Sequence, residues 1–343
     1  MRKFFCCFVG MAFCMGWMFG SAVHAQGNEV SQVGSIDFFG GQGMDTSELL
    51  QKLPVRIGQS VNEDQVEQLQ SAITAAVLAA TGKAATDVAV ICCDQPEKLQ
   101  FYVGLQGSSY RALTYAAVPT GDAVLPNDGA ALYRKDSDAL EHAVESGNSQ
   151  EDDATGYALA KDPALHAIEL TMRAYALKHT EAIERVLQES HDAGQRQAAA
   201  TLLGYCERSP EQIRDLAAAA NDADEDVRNN ALRALGVLAA TQPLVGLDVK
   251  PFVAMLYSGK WTDRNKASLL LSRLTEPRDP ALLRVLRDQA MGPLLDGAHW
   301  QSPGHAYFFL VILGRIGGID DVRLEKLIQS GARDEIIAAA EKH

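Results

Sequence analysis

The sequence predicts a small α+β domain with the element order β-α-α-β-β, followed by an all-α helical solenoid. Within residues 30–107, three apolar strand patterns flank two helical segments. In the second half, four similar helical segments recur, and a period of this size is typical of a helical repeat array. The residues are 47% hydrophobic but only 7% aromatic, which suits close packing between alanine-rich helices.

Length and charge limit the possible partners. A chain of 343 residues favours two domains. It carries 31 Lys and Arg against 44 Asp and Glu, a net charge of −13. Nucleic-acid binding needs clustered Lys and Arg, so this balance argues against DNA or RNA as a partner.

The first 25 residues have the pattern of a secretory signal peptide. Arg2 and Lys3 precede an uncharged apolar run at 4–20, and the small residues Val23 and Ala25 fit a cleavage site after Ala25. We therefore expect export through the inner membrane and a periplasmic location. An uncleaved membrane anchor is the alternative, although the run is shorter than the roughly 20 residues that span a bilayer. Cleavage would remove two positive charges and change the net charge from −13 to −15.

The cysteines do not form a disulfide framework. Cleavage would leave Cys92, Cys93 and Cys206, which is an odd number without metal-ligand spacing. Cys92 and Cys93 are neighbours on a predicted strand, so their side chains point to opposite faces and are not expected to bridge each other. We predict that these cysteines are small buried apolar residues.

The small α+β domain at 30–107 follows from strand alternation and helix caps. Asp45 or Thr46 would cap the first helix, which Pro54 stops, and Asn62 would cap the second helix, which Gly82 stops. The strands at 86–92 and 98–105 form an antiparallel hairpin through a turn at 94–97. The remaining predicted elements are a strand at 33–39, a helix at 47–53, a turn at 56–61 and a helix from 62 to 82.

This domain resembles a POTRA (polypeptide-transport-associated) domain. The residues that carry the resemblance are Ile36, Gly40, Leu49, Leu50, Leu53, Pro54, Gly58 and Val61. It implies a domain that binds other polypeptides in the cell envelope, often by adding a strand to a sheet edge.

Residues 108–156 have the composition of a linker. Turn signals fill 108–128, a helix is predicted at 130–146, and the polar segment 146–156 is expected to be an exposed, mobile loop. Its run Glu151-Asp152-Asp153 offers carboxylates to a calcium ion but lacks the alternating ligands of a calcium loop, so we expect a solvated loop.

Residues 157–343 contain the repeats. The first three segments have an arginine seven residues before an anchoring leucine, and the fourth has Ala306 at the arginine position. The four segments are 196–204, 228–236, 264–272 and 306–314, and their leucines are 32, 36 and 42 residues apart. Irregular capping helices are expected at 157–192 and 315–343.

The stretch 221–238 resembles the short HEAT repeats of phycobilisome lyases. The resemblance implies that a repeat arginine pairs with a turn aspartate of a neighbouring repeat. The implied structural ladder consists of Asp192, Arg196, Asp224, Arg228 and Arg264.

In HEAT arrays, the second helix of each pair lines a concave face. A stripe of side chains on these helices is therefore a candidate surface for a partner, the alternative being an ordinary solvated or hydrogen-bonded helix face. The stripe consists of Gln197, Asn229, Asn230, Arg233, Asn265, Lys266 and Tyr307.

No catalytic motif is found. HEAT-type di-iron hydroxylases need His-Glu pairs, and no His-Glu dipeptide occurs. The scattered histidines are expected at the surface or in packing, and the cluster at 296–300 is expected to be a loop between helices. The histidines are His166, His179, His191, His299 and His305.

The predicted function is therefore an exported, non-enzymatic scaffold that binds a protein partner in the cell envelope. No cofactor, metal or later transmembrane segment is predicted. The alternatives are a HEAT-repeat enzyme or accessory subunit, lyase-like or hydroxylase-like, and a structural component at the outer membrane.

Overall fold

The computed structural model describes residues 30–92, 98–241 and 243–342. The predicted signal peptide, Cys93 and the predicted turn at 94–97 lie outside the described residues. Within them, a small sheet domain comes first and a large helical part follows. The coarse order of the predicted fold is therefore confirmed.

The sheet has four strands in the order β2-β1-β4-β3. Strand β1 runs parallel to β4, while β1–β2 and β3–β4 are antiparallel pairs. The strands are β1 (Val30–Phe39), β2 (Ser60–Asn62), β3 (Val88–Cys92) and β4 (Lys98–Gly104). The predicted strands are confirmed, but the segment predicted as a turn at 56–61 leads into β2, because its backbone pairs with the start of β1.

Helices α1 (Ser47–Lys52) and α2 (Val66–Thr81) share one core with the sheet. Thr46, the N-cap residue of α1, makes no capping bond with its side chain, whereas Asp45, one residue earlier, accepts a hydrogen bond from the Ser47 backbone N–H (2.9 Å). Asn62 does not cap α2. A 3₁₀ turn intervenes, and the Gln65 side chain accepts a bond from the Asn62 backbone N–H (3.0 Å). Gly82, with φ of 73°, ends α2 as predicted.

The sheet is buried on both faces. Along β4, Phe101 and Val103 belong to the core with α1 and α2, while Tyr102 belongs to the core of the helical part. This division follows from the two-residue period of a strand. Tyr102 stacks on Trp261 at a ring-centroid distance of 5.0 Å, and its hydroxyl lies 2.7 Å from Nδ1 of His305. The sheet domain is therefore packed against the helices.

Eleven helices follow β4 in the described residues. They are α3 (Gly129–Glu145), α4 (Pro163–Glu189), α5 (Ala193–Leu203), α6 (Pro210–Ala219), α7 (Glu225–Thr241), α8 (Lys250–Met255), α9 (Trp261–Leu274), α10 (Pro280–Ala298), α11 (Pro303–Ile316), α12 (Asp321–Gln329) and α13 (Arg333–Lys342). Helix α4 is kinked at His179. The four repeated segments lie inside α5, α7, α9 and α11, as predicted.

These four helices form the centre of the helical part. Each of α5, α7, α9 and α11 packs against the next odd-numbered helix and against the helix before it in sequence. Helix α9 is enclosed, since every residue from Trp261 to Ser272 is buried. A charged or polar residue on α9 must therefore find its partner inside the protein.

Residues 108–126, here called the strap, cross the turns of successive helix pairs in reverse order. The backbone N–H groups of Arg111, Ala116 and Gly121 donate to the carbonyls of Tyr257 (2.9 Å), Asn221 (2.8 Å) and Glu189 (2.9 Å). Each acceptor lies at the turn before α9, α7 or α5. Hydrogen bonds at successive pairs hold this predicted linker against the array.

The polar segment after α3 is also held. Glu151–Asp152 (β5) pairs with Leu159–Ala160 (β6) in a two-stranded hairpin. The Glu151 side chain forms an ion pair with Arg233 and is only 12% exposed. The expectation of an exposed loop is wrong for Glu151, which is held against the helices, whereas Asp152, Ala154 and Thr155 are exposed as predicted.

The two cysteines within the described residues differ. Cys206 is free and buried, as predicted, and burial raises the pKa of its thiol to about 11. Cys92, at the end of β3, is disulfide-bonded. The prediction of a buried, unbridged Cys92 is therefore wrong, because its sulfur is bonded and its side chain is only half-buried.

Candidate functional site

The predicted arginines form a buried ladder. Arg196 donates two hydrogen bonds to Asp222 (both 2.8 Å), and Arg228 donates two to Asp263 (2.8 and 3.2 Å). Arg264 pairs with Asp296 at 3.6 Å. Asp222 lies just before α7, Asp263 lies in α9, and Asp296 lies in α10, which pairs with α11. The three ladder arginines therefore join successive pairs.

The ladder partners differ from the prediction. Asp192 and Asp224 cap helices, as expected of turn aspartates, because their carboxylates accept backbone N–H bonds from Gln195 (3.0 Å) and Val227 (3.0 Å), but neither carboxylate is the hydrogen-bonded partner of a ladder arginine side chain. A side chain that caps its own helix lies at the turn, whereas the arginine extends to the next pair. Asp222, two residues before Asp224, occupies the position that Arg196 contacts.

Each ladder arginine also donates a hydrogen bond to a backbone carbonyl in the turn before its own helix. Arg196 donates to the Ser190 carbonyl (2.9 Å), Arg228 to the Asp222 carbonyl (2.9 Å) and Arg264 to the Ser258 carbonyl (2.6 Å). The planar guanidinium has enough donors to serve carboxylate and carbonyl together. The ladder is therefore a structural element of the array.

The predicted stripe is not an open surface. Asn229, Asn230, Asn265 and Lys266 are each at most 7% exposed. Gln197 donates to Asp224 (3.1 Å), Arg233 pairs with Glu151, and Tyr307 donates to Glu325 (3.3 Å).

The chain's own connecting segment covers part of this face. The Tyr133 hydroxyl, on α3, accepts a bond from the Asn230 amide (3.1 Å). Asp153 pairs with Arg273 at 3.0 Å, next to the contact between Glu151 and Arg233. The stripe residues contact this segment or other helices, so they do not present a free face to a partner.

Burial beneath the hairpin perturbs several carboxyl groups. Burial raises the pKa of Glu169 to about 8 and that of Asp136 to about 6. Glu169 accepts a bond from the Ala160 backbone N–H, whereas Oδ1 of Asp136 accepts no hydrogen bond from the described residues. Arg233 lowers the pKa of both groups, but its effect is smaller than that of burial.

Carboxylates also join the sheet to the array. Both oxygens of Asp37, on β1, accept a bond from the Gln301 backbone N–H (3.1 Å). Asp87, just before β3, accepts from the Trp261 backbone N–H (3.0 Å) and lies 3.3 Å from the Lys260 ammonium. Burial raises the pKa of Asp37 and of Asp87 to about 6. The interface between the two parts is therefore polar as well as apolar.

A cleft of about 560 Å³ opens at this interface, and we call it the boundary cleft. Its lining comes from β1, the loop to α1, the end of α10 and the end of α13. Its size falls within the range of ligand sites, which often lie between domains. Met44, 45% exposed, lies at its rim.

Both polar and apolar residues line the boundary cleft. The apolar lining includes Phe38, Leu50, Leu295 and Ile337, and the acidic lining consists of Asp37, Asp296 and Glu341. His299 also lines it, and its Nδ1 lies 2.7 Å from the Leu295 carbonyl. Among the described residues that line this cleft, none is a lysine or arginine.

The sequence pattern did not single out this site. It drew attention to Asp296, His299 and Trp300, but as a loop between helices. Two of their bonds span more than 250 residues: Gly40 N donates to Asp296 Oδ2 (2.9 Å), and Trp300 Nε1 donates to the Phe38 carbonyl (3.3 Å). The glycine-rich run at 40–43, followed by the exposed Met44, was the other available signal.

In the part of the chain that the structure describes, no group of three or more His, Cys, Asp or Glu could hold a metal ion. No helix there is both long and apolar enough to cross a membrane. No protein-family model and no curated protein matches the chain.

Proposed function

We propose that this protein is an exported, non-enzymatic interaction protein. Its helical part is a HEAT-like solenoid, and its partner is a protein of the cell envelope that docks at the boundary cleft. The repeated helix pairs and the arginine ladder support the solenoid. The observation that carries the binding role is the open, mixed polar and apolar cleft, whereas the predicted stripe is occupied by the chain itself.

The ladder and strap make this cleft well suited to binding. Arg264 pairs with Asp296 at the cleft and donates to the Ser109 carbonyl (2.6 Å) at the start of the strap. Trp300, 1% exposed, donates from Nε1 to the Phe38 carbonyl (3.3 Å). Both walls are thereby held in place, and a preformed site loses less entropy on binding.

Site-specific photo-cross-linking in the cell tests this proposal. A photoreactive residue replaces Met44 at the cleft rim, and a matched variant carries it at Ile57, which is 54% exposed on the same domain. We expect a defined cross-linked protein from position 44 and none from position 57. Equal products at both positions, or none at position 44, would refute docking at the cleft. Fractionation of the same cells tests the envelope location.

A further inference from the structure

The described residues that line the boundary cleft include three carboxylates and no lysine or arginine, and the cation nearest to Asp296 is the buried Arg264, at 3.6 Å. The carboxyl groups of Asp37, Asp296 and Glu341 line it together with the exposed His299. Gly40 N and Ser109 Oγ both donate to Oδ2 of Asp296, which leaves Oδ1 free of hydrogen bonds from the described residues. A carboxylate accepts about four hydrogen bonds, so Asp296 has capacity for a donor from outside.

Two helix C-termini add negative potential. Helix α10 ends at Ala298, and α13 ends at Lys342, so Asp296 and Glu341 both lie in a last turn. The C-terminal end of a helix carries a partial negative charge, which disfavours a carboxylate and favours a cation. Lys342 shares the last turn of α13 but does not line the cleft.

The nearest arginines are already engaged. Arg264 is 1% exposed, donates to the carbonyls of Ser258 and Ser109, and lies 3.6 Å from Asp296 on the buried side of the cleft wall. Arg333 donates to the Trp300 carbonyl (2.7 Å). Burial outweighs the effect of Arg333 on Asp37 and of Arg264 on Asp296, because the pKa of each carboxyl group is raised. An added cation would offset this cost.

Apolar side chains flank these oxygens. Met44 and Leu50 lie on one wall, and Leu295 and Ile337 on the other. The aliphatic stem of a lysine or arginine packs on such a surface while its charged end meets carboxylates. The exposed rim leaves room for the chain on either side of that residue, as a polypeptide requires.

We propose that the boundary cleft binds an extended polypeptide segment that places a lysine or arginine, flanked by aliphatic residues, against Asp296 and Glu341. This inference rests on the proposed function and specifies the chemistry of the partner. Charge complementarity and the apolar walls select such a segment over an acidic or purely polar one.

Short blocked peptides and the full-length protein test this chemistry by calorimetry. One peptide has a lysine between two leucines, and two matched peptides carry norleucine or glutamate in its place. We expect the lysine peptide to bind about tenfold or more tightly than the norleucine peptide, with no binding of the glutamate peptide. Raising the salt from about 50 to about 300 mM should weaken binding. Equal binding of the lysine and norleucine peptides would overturn the inference.

Two variants test the site itself. Glu341→Gln should weaken lysine-peptide binding about threefold to fivefold, the effect of one solvent-accessible ion pair. Asp288→Asn, on the exposed part of α10, should leave it unchanged. Thr46→Lys adds a positive charge inside the cleft and should abolish binding, whereas Ile57→Lys adds it elsewhere and should not. Equal effects of the cleft and control variants would contradict the assignment.

The cross-link at position 44 separates the two proposals. If that product forms but the lysine peptide and Thr46→Lys do not reduce it, the partner chemistry is wrong and docking at the cleft stands. If no product forms, the proposed function fails. If spermidine displaces the partner as well as the peptide does, charge alone is recognised and the apolar part of the inference is wrong.

Discussion

The second ladder position offers the sharpest test of how the helix pairs are joined. Arg228 is 2% exposed, donates two hydrogen bonds to Asp263, and donates to the carbonyls of Asp222 and Ala223 at 2.9 and 3.0 Å. Its guanidinium also lies 3.8 Å from the centre of the Tyr115 ring on the strap. One side chain thus joins two helix pairs and the strap.

Arg228→Met removes all of these contacts and leaves Asp263, 1% exposed, without its countercharge. Removing one partner of a buried ion pair costs about 3–5 kcal/mol. For a protein of this size, with a urea m-value of about 3 kcal/mol/M, the unfolding midpoint should fall by about 1–1.7 M. Asp263 keeps its bond from Ser258 Oγ (2.6 Å), so the lower end of the range is expected.

Urea unfolding followed by circular dichroism measures this change. Arg214→Met is the matched control, since that arginine is 64% exposed and lies 3.5 Å from Glu211. Its loss should cost under about 1 kcal/mol. Arg228→Met with Asp263→Asn should cost less than the sum of the single variants. A loss at Arg228 no greater than that at Arg214 would refute the structural role of the ladder.

Three further predictions concern the buried carboxyl groups, the hairpin and helix contacts. Because burial raises the folded-state pKa of Asp37, Asp87 and Asp136 from 3.8 to about 6, their protonation stabilises the fold at low pH, and this contribution is lost as the pH rises through 6. Thermal unfolding should show higher stability at pH 4.5 than at pH 7.5, by roughly 2 kcal/mol for each such group. Arg233→Met removes the ion pair with Glu151 and should expose the segment 146–156 to limited proteolysis, whereas Arg287→Met, at a partly exposed arginine of α10, should not. Gly317→Ala should destabilise the fold by about 1–3 kcal/mol, because a Cβ there would lie 2.8 Å from the backbone of Ala339, while Gly292→Ala meets only ordinary contacts and should be neutral or stabilising.

Each of these has a clear opposing result. Stability that rises from pH 4.5 to pH 7.5, with the same slope in Asp136→Asn, would contradict the carboxyl assignment. Equal proteolysis of Arg233→Met and the parent would show that the hairpin does not depend on its ion pair. Similar unfolding midpoints for the two glycine variants would contradict close packing of α11 on α13.

Local sequence pattern was sufficient to predict secondary structure where residues close in sequence determine it. Strands β1, β3 and β4, both helices of the sheet domain and the helix at 129–145 were predicted from local pattern and turn signals. The predictions were wrong where a short segment contacts residues that are distant in sequence. Ser60–Asn62 became a strand because β1 lies beside it, and the hairpin at 151–160 formed over Arg233.

Most of the candidate site could not be predicted from the sequence. Seven stripe positions were placed on the repeated helices as expected, yet most are buried or engaged with other parts of the chain. The pattern gives the face of a helix but not what covers it. The boundary cleft joins residues near position 40 to residues near 296 and 340, and no spacing rule connects them.

The sequence by itself determined the helix pairs and the positions of the ladder arginines, because both repeat with the helical period and the repeat length. Only the tertiary structure decided which carboxylate each arginine meets, since Asp222 and Asp224 are two residues apart and the turn geometry separates their roles. The structure also decided that the strap is held against the array and that a cleft opens beside Asp296. Those features depend on how distant segments pack, and packing is a property of the whole folded chain.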